Sequence, residues 1–213
     1  MSEEDIKLVN ICYHALYKRF GRNIPDVLTE RLNQELCIII NNGDADAYNL
    51  LWWILAHCTD VVCNDIDVVY NDRRVKRHTL ILYLFQVTSI NPCHGFIECA
   101  HCGNIGYYGD YEYPVYCPVC GDSFDSWDVN VGYDLPLYNE ETVDGHRAER
   151  ILSIISDSII ESDRHCRLSD KDAYVLSRAL SICYMRNEED SIQKIVDYMI
   201  LDKFLDNQLG EYK

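Results

Sequence analysis

Positive charge is scarce in this chain. Lys and Arg number 19 against 35 Asp and Glu, a formal net charge of −16. From Thr79 to Gly145 there is no Lys or Arg at all, while the same stretch holds Glu98, Asp110, Glu112, Asp122, Asp125, Asp128, Asp134, Glu140, Glu141 and Asp144. Surfaces that bind nucleic acid by displacing counterions from phosphates are ordinarily basic. The composition therefore weighs against nucleic acid as a partner and points to a protein partner with a basic surface. Long hydrophobic runs are missing too. Leu50 to Ala56 and Leu80 to Phe85 are the longest, well short of the roughly 20 residues that span a bilayer. The start, Met-Ser-Glu-Glu-Asp, is acidic where a secretory signal is basic and then apolar. No membrane association and a cytoplasmic location are expected. There is no phosphate-cradling glycine loop, nucleophile elbow or His-Glu-x-x-His element, so no catalytic residue is assigned.

Cysteine, by contrast, is plentiful. Eleven cysteines in a 213-residue chain are too many to ignore, but the odd count, the length and the lack of a signal argue against a disulfide scaffold and for reduced thiols. Four form the matched pairs Cys99-Ala-His-Cys102 and Cys117-Pro-Val-Cys120. The other seven, Cys12, Cys37, Cys58, Cys63, Cys93, Cys166 and Cys183, fall mostly in apolar helical patterns, where the thiol acts as a small core hydrophobe. With 48% hydrophobic and 25% charged residues, the rest has the composition of a folded globular protein of one domain, with room for a small inserted module.

Helical periodicity dominates both ends. Val9, Cys12, Tyr13, Leu16 and Phe20 form a first stripe, with Ser2 as N-cap and Gly21 as stop. A second helix begins near Pro25, carries Leu28, Leu32, Leu36, Ile39 and Ile40, and ends at Asn41-Asn42-Gly43. A third, about Ala45 to Cys58, is apolar nearly all round and is expected to be a central helix with both tryptophans in the core. A fourth runs through Leu80, Ile81, Leu84, Phe85 and Val87 and should stop at Asn91-Pro92. Just before it, Arg73-Arg74-Val75-Lys76-Arg77-His78 is the one basic cluster, with Asp60, Asp65, Asp67 and Asp72 close enough to neutralise it as a solvated turn. After an acidic connection from Asp128 to Asp144, Ala148, Ile151, Leu152, Ile155 and Ile159 form another stripe. Ser169 with Asp172 caps a helix bearing Val175, Leu176, Ala179, Leu180 and Cys183. The last helix opens at Asn187-Glu-Glu-Asp and buries Ile192, Ile195, Val196, Met199 and Phe204. The expected fold is mainly α, roughly seven helices with an inserted small β module. Residues 1–92 form the N-terminal helical part, 93–130 the insertion, and 131–213 a connecting segment with C-terminal helices packing on the N-terminal part.

Two C-x2-C turns present two sulfurs each to one ion, and structural zinc sites are commonly closed and all-thiolate. Each second cysteine precedes a glycine, Gly103 or Gly121, where a tight knuckle needs a permissive backbone. The Tyr-rich stretch Gly106 to Tyr116 suits two short strands and a turn. Over Glu98 to Trp127 the sequence resembles the zinc-ribbon and rubredoxin-like knuckle families, and the remaining chain resembles no family. The resemblance implies a metal bound by Cys99, Cys102, Cys117 and Cys120, structural zinc first and iron second. A rubrerythrin-like di-iron bundle would need helical Glu-x-x-His pairs, and the chain's one such spacing, Glu98 to His101, lies within the first knuckle. The zinc deaminases need an upstream His-x-Glu or Cys-x-Glu, which this sequence lacks. A thioredoxin-like role for Cys117-Pro-Val-Cys120 would need a helix opening after a strand. Cys93 and His94 are adjacent candidates left without a vacancy by four thiolates. His14, His57, His78, His146 and His165 show no metal spacing with one another.

From these features the leading expectation is an acidic zinc-binding protein-interaction module, a regulator or inhibitor, of phage or mobile-element type, of a nucleic-acid enzyme or another basic partner. A nucleic-acid-binding or transcription-associated zinc-ribbon protein and a toxin-immunity protein are the alternatives. An enzyme whose residues assemble only in the fold is a further class. The ribbon motif alone does not choose among them, and the choice here rests on charge.

Overall fold

Seven helices and three short strands make up the residues that the computed structural model describes: 1–21, 24–57, 79–88, 91–93, 96–99, 101–102, 105–107, 116–117, 119–122, 129–131, 143–161, 168–183, 185 and 187–210. In chain order they are α1 (Glu3–Phe20), α2 (Asp26–Asn42), α3 (Ala45–His57), α4 (Leu80–Leu84), β1 (Phe96–Cys99), β2 (Ile105–Tyr107), β3 (Val129–Val131), α5 (Gly145–Glu161), α6 (Asp170–Ile182) and α7 (Glu188–Gly210). The chain is mainly α, with a small β module between α4 and α5.

Local chemistry accounts for most of the helix ends. Ser2 Oγ accepts the Asp5 N–H at 3.1 Å while the Asp5 carboxylate accepts the Ser2 N–H at 2.5 Å, a reciprocal cap that satisfies two otherwise orphaned donors. α1 stops where Gly21, at φ +74°, returns its N–H to the Tyr17 carbonyl at 2.9 Å. α2 follows Pro25 and ends before Gly43, at φ +72°. Ser169 Oγ accepts from the Asp172 N–H at 3.2 Å and caps α6. Asp144 Oδ1 accepts the Arg147 N–H at 3.1 Å and does the same for α5.

Contacts divide the chain into two compact units. The first comprises Met1–Leu8, Ile40–Val69 and Glu141–Lys213. In it α6 packs against both α3 and α5, and α7 packs against α5. Tyr48, Leu51, Ile151, Ile155, Leu176 and Ile192 are among its fully buried side chains. Asn49 Nδ2 ties α3 to the first turn of α1 through the Glu4 carbonyl and carboxylate at 2.9 and 2.7 Å. Arg147 reaches Glu188 at 2.6 Å and the Ser181 carbonyl at 3.2 Å, joining α5 to both ends of the α6–α7 connection. The tryptophans differ from expectation. Trp52 and Trp53 are half-buried, with Tyr48, Leu51 and Ile54 on the buried face. The Trp53 ring lies 5.9 Å from that of Tyr198, and the large indoles serve the border of the core rather than its centre.

The second unit comprises Val9–Ile39 and Tyr70–Glu140. Cys12, Leu16, Leu28, Leu32, Leu80 and Ile81 are all fully buried in it. α4 is shorter than its apolar run suggested. It ends before Phe85 because Gln86 adopts φ 62°, returning its N–H to Tyr83 and that of Val87 to Leu82. These paired bonds close a helix with a left-handed residue, so the stop comes ahead of Asn91-Pro92. Glu35, which no sequence pattern singled out, is buried on the apolar stripe of α2. Its carboxylate accepts the Leu80 N–H at 2.8 Å, the Ile81 N–H at 3.0 Å and Arg31 Nε at 2.7 Å.

Cys12, Cys93 and Cys183 are buried as expected of core thiols, whereas Cys37 is exposed. The basic run Arg73 to His78, His94, His165, Cys58, Cys63 and Cys166 lie outside the described residues, as do the side chains of Ile159 and Phe204.

Candidate metal centre

The β module brings the two knuckles together. β1 is the central strand in the order β2-β1-β3, antiparallel to both neighbours, with Glu98 opposite Ile105 on one side and Cys99 opposite Val129 on the other. Cys99 is the last residue of β1, so the first knuckle turns directly out of the sheet. The second is a tight turn. The Gly121 N–H donates to the Cys117 carbonyl at 2.8 Å, the Cys117 N–H donates to the Asp122 carbonyl at 2.8 Å, and Gly121 adopts φ +79°. A side chain at that φ would be strained, which accounts physically for glycine after Cys120.

The four Sγ atoms of Cys99, Cys102, Cys117 and Cys120 all lie within 4.8 Å of one another. The Cys99–Cys120 and Cys102–Cys117 separations across the two knuckles are 3.6 and 3.5 Å. Sulfurs bound tetrahedrally at about 2.3 Å from zinc stand about 3.8 Å apart, close to these two separations, so the four cysteines could hold one metal ion. Cys99 and Cys117 are buried, Cys120 is half-buried and Cys102 is exposed, putting one edge of the group at the surface.

The same turn polarises its thiols. Burial opposes ionisation of Cys117, but the N–H groups of Cys120 and Val119 and the thiols of Cys102 and Cys120 outweigh it, bringing Cys117 down to about 6. Cys120 is pulled down by the Asp122 N–H. Desolvation and hydrogen bonds with Cys117, Cys99 and Cys102 prevail, and it is pushed up to about 12. A divalent cation would displace the protons that remain on these thiols. The four thiolates would leave no open position, which suits a structural ion rather than one that activates water.

Cys93 is buried outside the group of four, its N–H donating to Asn91 Oδ1 at 3.0 Å. Among the described residues the four cysteines are the group of histidines, cysteines and carboxylates that could hold a metal. His101 belongs to no such group. Its Nδ1 lies 3.2 Å from the Asp122 carboxylate, an exposed link from the first knuckle to the second. That contact had no local signal in the sequence.

No protein-family model matches the chain. It is similar to segments of DNA polymerase III of the PolC type. With the protein of Lactococcus lactis subsp. lactis it is 24% identical over 160 residues, covering 72% of this chain and 9% of the polymerase. With that of Mycoplasmopsis pulmonis it is 25% identical over 162 residues, 71% and 10% of the two chains. With that of Pediococcus pentosaceus it is 28% identical over 148 residues, 66% and 9%. The chain spans about a tenth of the length of these curated relatives.

This likeness corrects the expected partner. Relatives named as DNA polymerases conflict with nucleic acid being disfavoured, and the expectation of a basic protein partner rested on the same charge argument. The charge argument spoke for the acidic stretch 79–145 and for the whole-chain sum, whereas all 19 Lys and Arg lie outside that stretch. Counterion release depends on the few cations that touch phosphates, and a net charge of −16 over the whole chain does not describe that local surface. Among the described residues no helix is long and apolar enough to cross a membrane.

Proposed function

We propose that this chain is a nucleic-acid-associated zinc-ribbon protein, acting in the cytoplasm, whose helical body and β module do the structural work of the polymerase segments it resembles. One Zn(II) held by Cys99, Cys102, Cys117 and Cys120 would fix the two knuckles and with them the end of β1. The observation that carries this reading is a closed four-sulfur group on paired knuckles in a chain similar to segments of DNA polymerases. Iron is the second candidate, since a tetrahedral S4 set suits both metals.

This reading takes the place of regulation through a basic protein surface. It also retains residues 93–130 as an inserted module whose order depends on its metal. Four thiolates leave the ion no free coordination site, so the metal's contribution is mechanical and any phosphate contact falls to other side chains.

The test combines metal analysis with DNA binding. Protein purified without chelator should contain zinc near one equivalent and be colourless. Fluorescence anisotropy with labelled single-stranded, duplex and primer-template DNA should give saturable binding that weakens steeply with salt, as phosphate contacts require. A red iron-type spectrum would exchange the metal. Absence of binding to all three DNA forms at low salt would overturn the nucleic-acid reading.

A further inference from the structure

The first unit contains a cavity of about 380 Å³, apart from the cysteine group. One wall comes from the first two turns of α5, where Leu152 and Glu149 line it, another from Tyr174 and Arg178 on α6, and Val143 and Asp44 complete it. The size is that of a small-molecule site. Its chemistry is uneven. Asp44 is buried and forms an ion pair with Arg178, whose side chain is one-fifth exposed. Arg178 Nε is buried and has no hydrogen-bond partner among the described residues. The same guanidinium donates from Nη1 to the Tyr174 hydroxyl at 3.0 Å, which leaves that O–H free to donate onward, and its carbon lies 5.5 Å from the Tyr174 ring centroid. Tyr174 is half exposed and Glu149 is exposed.

We propose that this cavity binds the base of a nucleoside, in keeping with the nucleic-acid reading above, on which the choice of ring depends. The occupant must be small, flat on one side and rich in N–H groups. Tyr174 offers an aromatic face against which a base stacks, Val143 and Leu152 offer apolar contact, and Glu149 offers two acceptor oxygens to an N–H edge. A phosphate does not suit the same space. Arg178 is neutralised by Asp44, Glu149 adds an unbalanced negative charge, and the Arg147 N–H in the first turn of α5 is already engaged by the Asp144 carboxylate. Recognition therefore lies in the base, with the phosphate outside.

The experiment is a ¹H–¹⁵N NMR titration of the zinc-loaded full chain with guanosine, adenosine, cytidine and thymidine, with the 5′-monophosphate of whichever binds best, and with a short single-stranded oligonucleotide. Saturable shifts confined to Leu152, Ser177, Arg178 and their neighbours are expected for at least one nucleoside. Its affinity should be no weaker than that of its monophosphate, and Glu149→Gln and Tyr174→Ala, both at exposed positions, should each lower it about tenfold. Shifts at the same residues with the oligonucleotide would identify a base in a strand as the natural occupant, and shifts with nucleosides alone would identify a free one. No saturable shift with any nucleoside, monophosphate binding at least tenfold tighter, or indifference to both substitutions would overturn the proposal. DNA binding that survives Glu149→Gln and Tyr174→Ala while nucleosides leave the spectrum unchanged would sink the cavity and spare the nucleic-acid reading. Nucleoside binding without DNA binding would do the reverse.

Discussion

The buried carboxylate of Glu35 holds the backbone N–H of Leu80 at 2.8 Å, so the first turn of α4 is capped from a helix 45 positions earlier in the chain. Its other oxygen takes the Ile81 N–H at 3.0 Å, and Arg31, one turn back on α2, steadies the group at 2.7 Å. A five-residue helix is too short to stand alone. Thr79 caps α4 by accepting the Leu82 N–H, and Glu35 satisfies two more of its leading donors. Glu35→Ala would leave the buried Leu80 and Ile81 N–H groups without their acceptor and remove one partner of Arg31, a loss of about 2–4 kcal/mol. Glu35→Gln keeps one acceptor and should cost less. Urea unfolding of the two variants checks both the size and the order of these effects.

Stability should also vary with pH through this group. Burial pushes the Glu35 pKa above the usual carboxylate value, against the pull of Arg31 and the two N–H bonds. The folded state then holds a proton there more tightly than the unfolded chain. The stabilisation from that difference is complete below the unfolded pKa and is lost as pH rises through the folded one. The stability of the native protein relative to Glu35→Gln should narrow as pH rises above the ordinary carboxylate pKa of about 4.3. A difference that widens over the same range would show that the hydrogen bonds outweigh burial.

Gln86 sits at φ 62° and is exposed, at the position where helices most often carry glycine. Gln86→Gly should therefore stabilise the protein by about 0.5–1 kcal/mol, offset in part by the greater freedom of glycine in the unfolded chain. A rise in the thermal midpoint measures it. A fall would mean that the Gln86 side chain makes a contact worth more than the backbone strain.

The Asp44–Arg178 pair joins the loop before α3 to α6, with Asp44 almost wholly buried. Asp44→Asn should destabilise the first unit by up to about 3 kcal/mol, because it removes the charge partner of a guanidinium whose side chain is only one-fifth exposed. Replacing both partners by apolar residues should cost less than that, and a double-mutant cycle on unfolding free energies separates the two cases.

Metal occupancy should depend on pH in the direction set by the thiols. Cys120, pushed up to about 12, must give up its proton to any cation, while Cys117, at about 6, is largely ionised at neutral pH. Zinc uptake should therefore release protons, and affinity should fall as pH drops below neutral. A chelator competition series with a colorimetric zinc dye measures both. Affinity that does not change with pH would mean that the cysteines are not the ligands.

How much of this could be read from the chain alone depended on the distance between cause and effect. Ser2, Gly21, Gly43 and the Ser169 cap act on neighbours in sequence, and their roles were legible because helix ends are local. The four cysteines were legible because each knuckle is four residues long and chemically unambiguous. Glu35 was not, since a glutamate among leucines looks like an error in the stripe until its partners, 45 and 46 positions away, arrive. The end of α4 was missed for the opposite reason: glutamine carries no mark of a left-handed backbone. Trp52 and Trp53 were misjudged because periodicity reports which residues are apolar and not how much of a large ring the neighbouring helices can cover.

The antiparallel pairing of β2 on β1 lies inside the stretch that the two knuckles would clasp. Cys102 and Cys117 are 15 positions apart, and Ile105–Tyr107 falls between them, whereas β3 does not. An ion tying those sulfurs shortens the tether on which β2 can wander, and closing a loop of that length is worth about 3 kcal/mol by the chain-entropy argument developed for covalent crosslinks. The two edges of the sheet are therefore unequal. Strand β3 must return to β1 on its own contacts, while β2 is confined beside it as long as the ion stays bound, so with the ion in place the sheet should come apart from the β3 side.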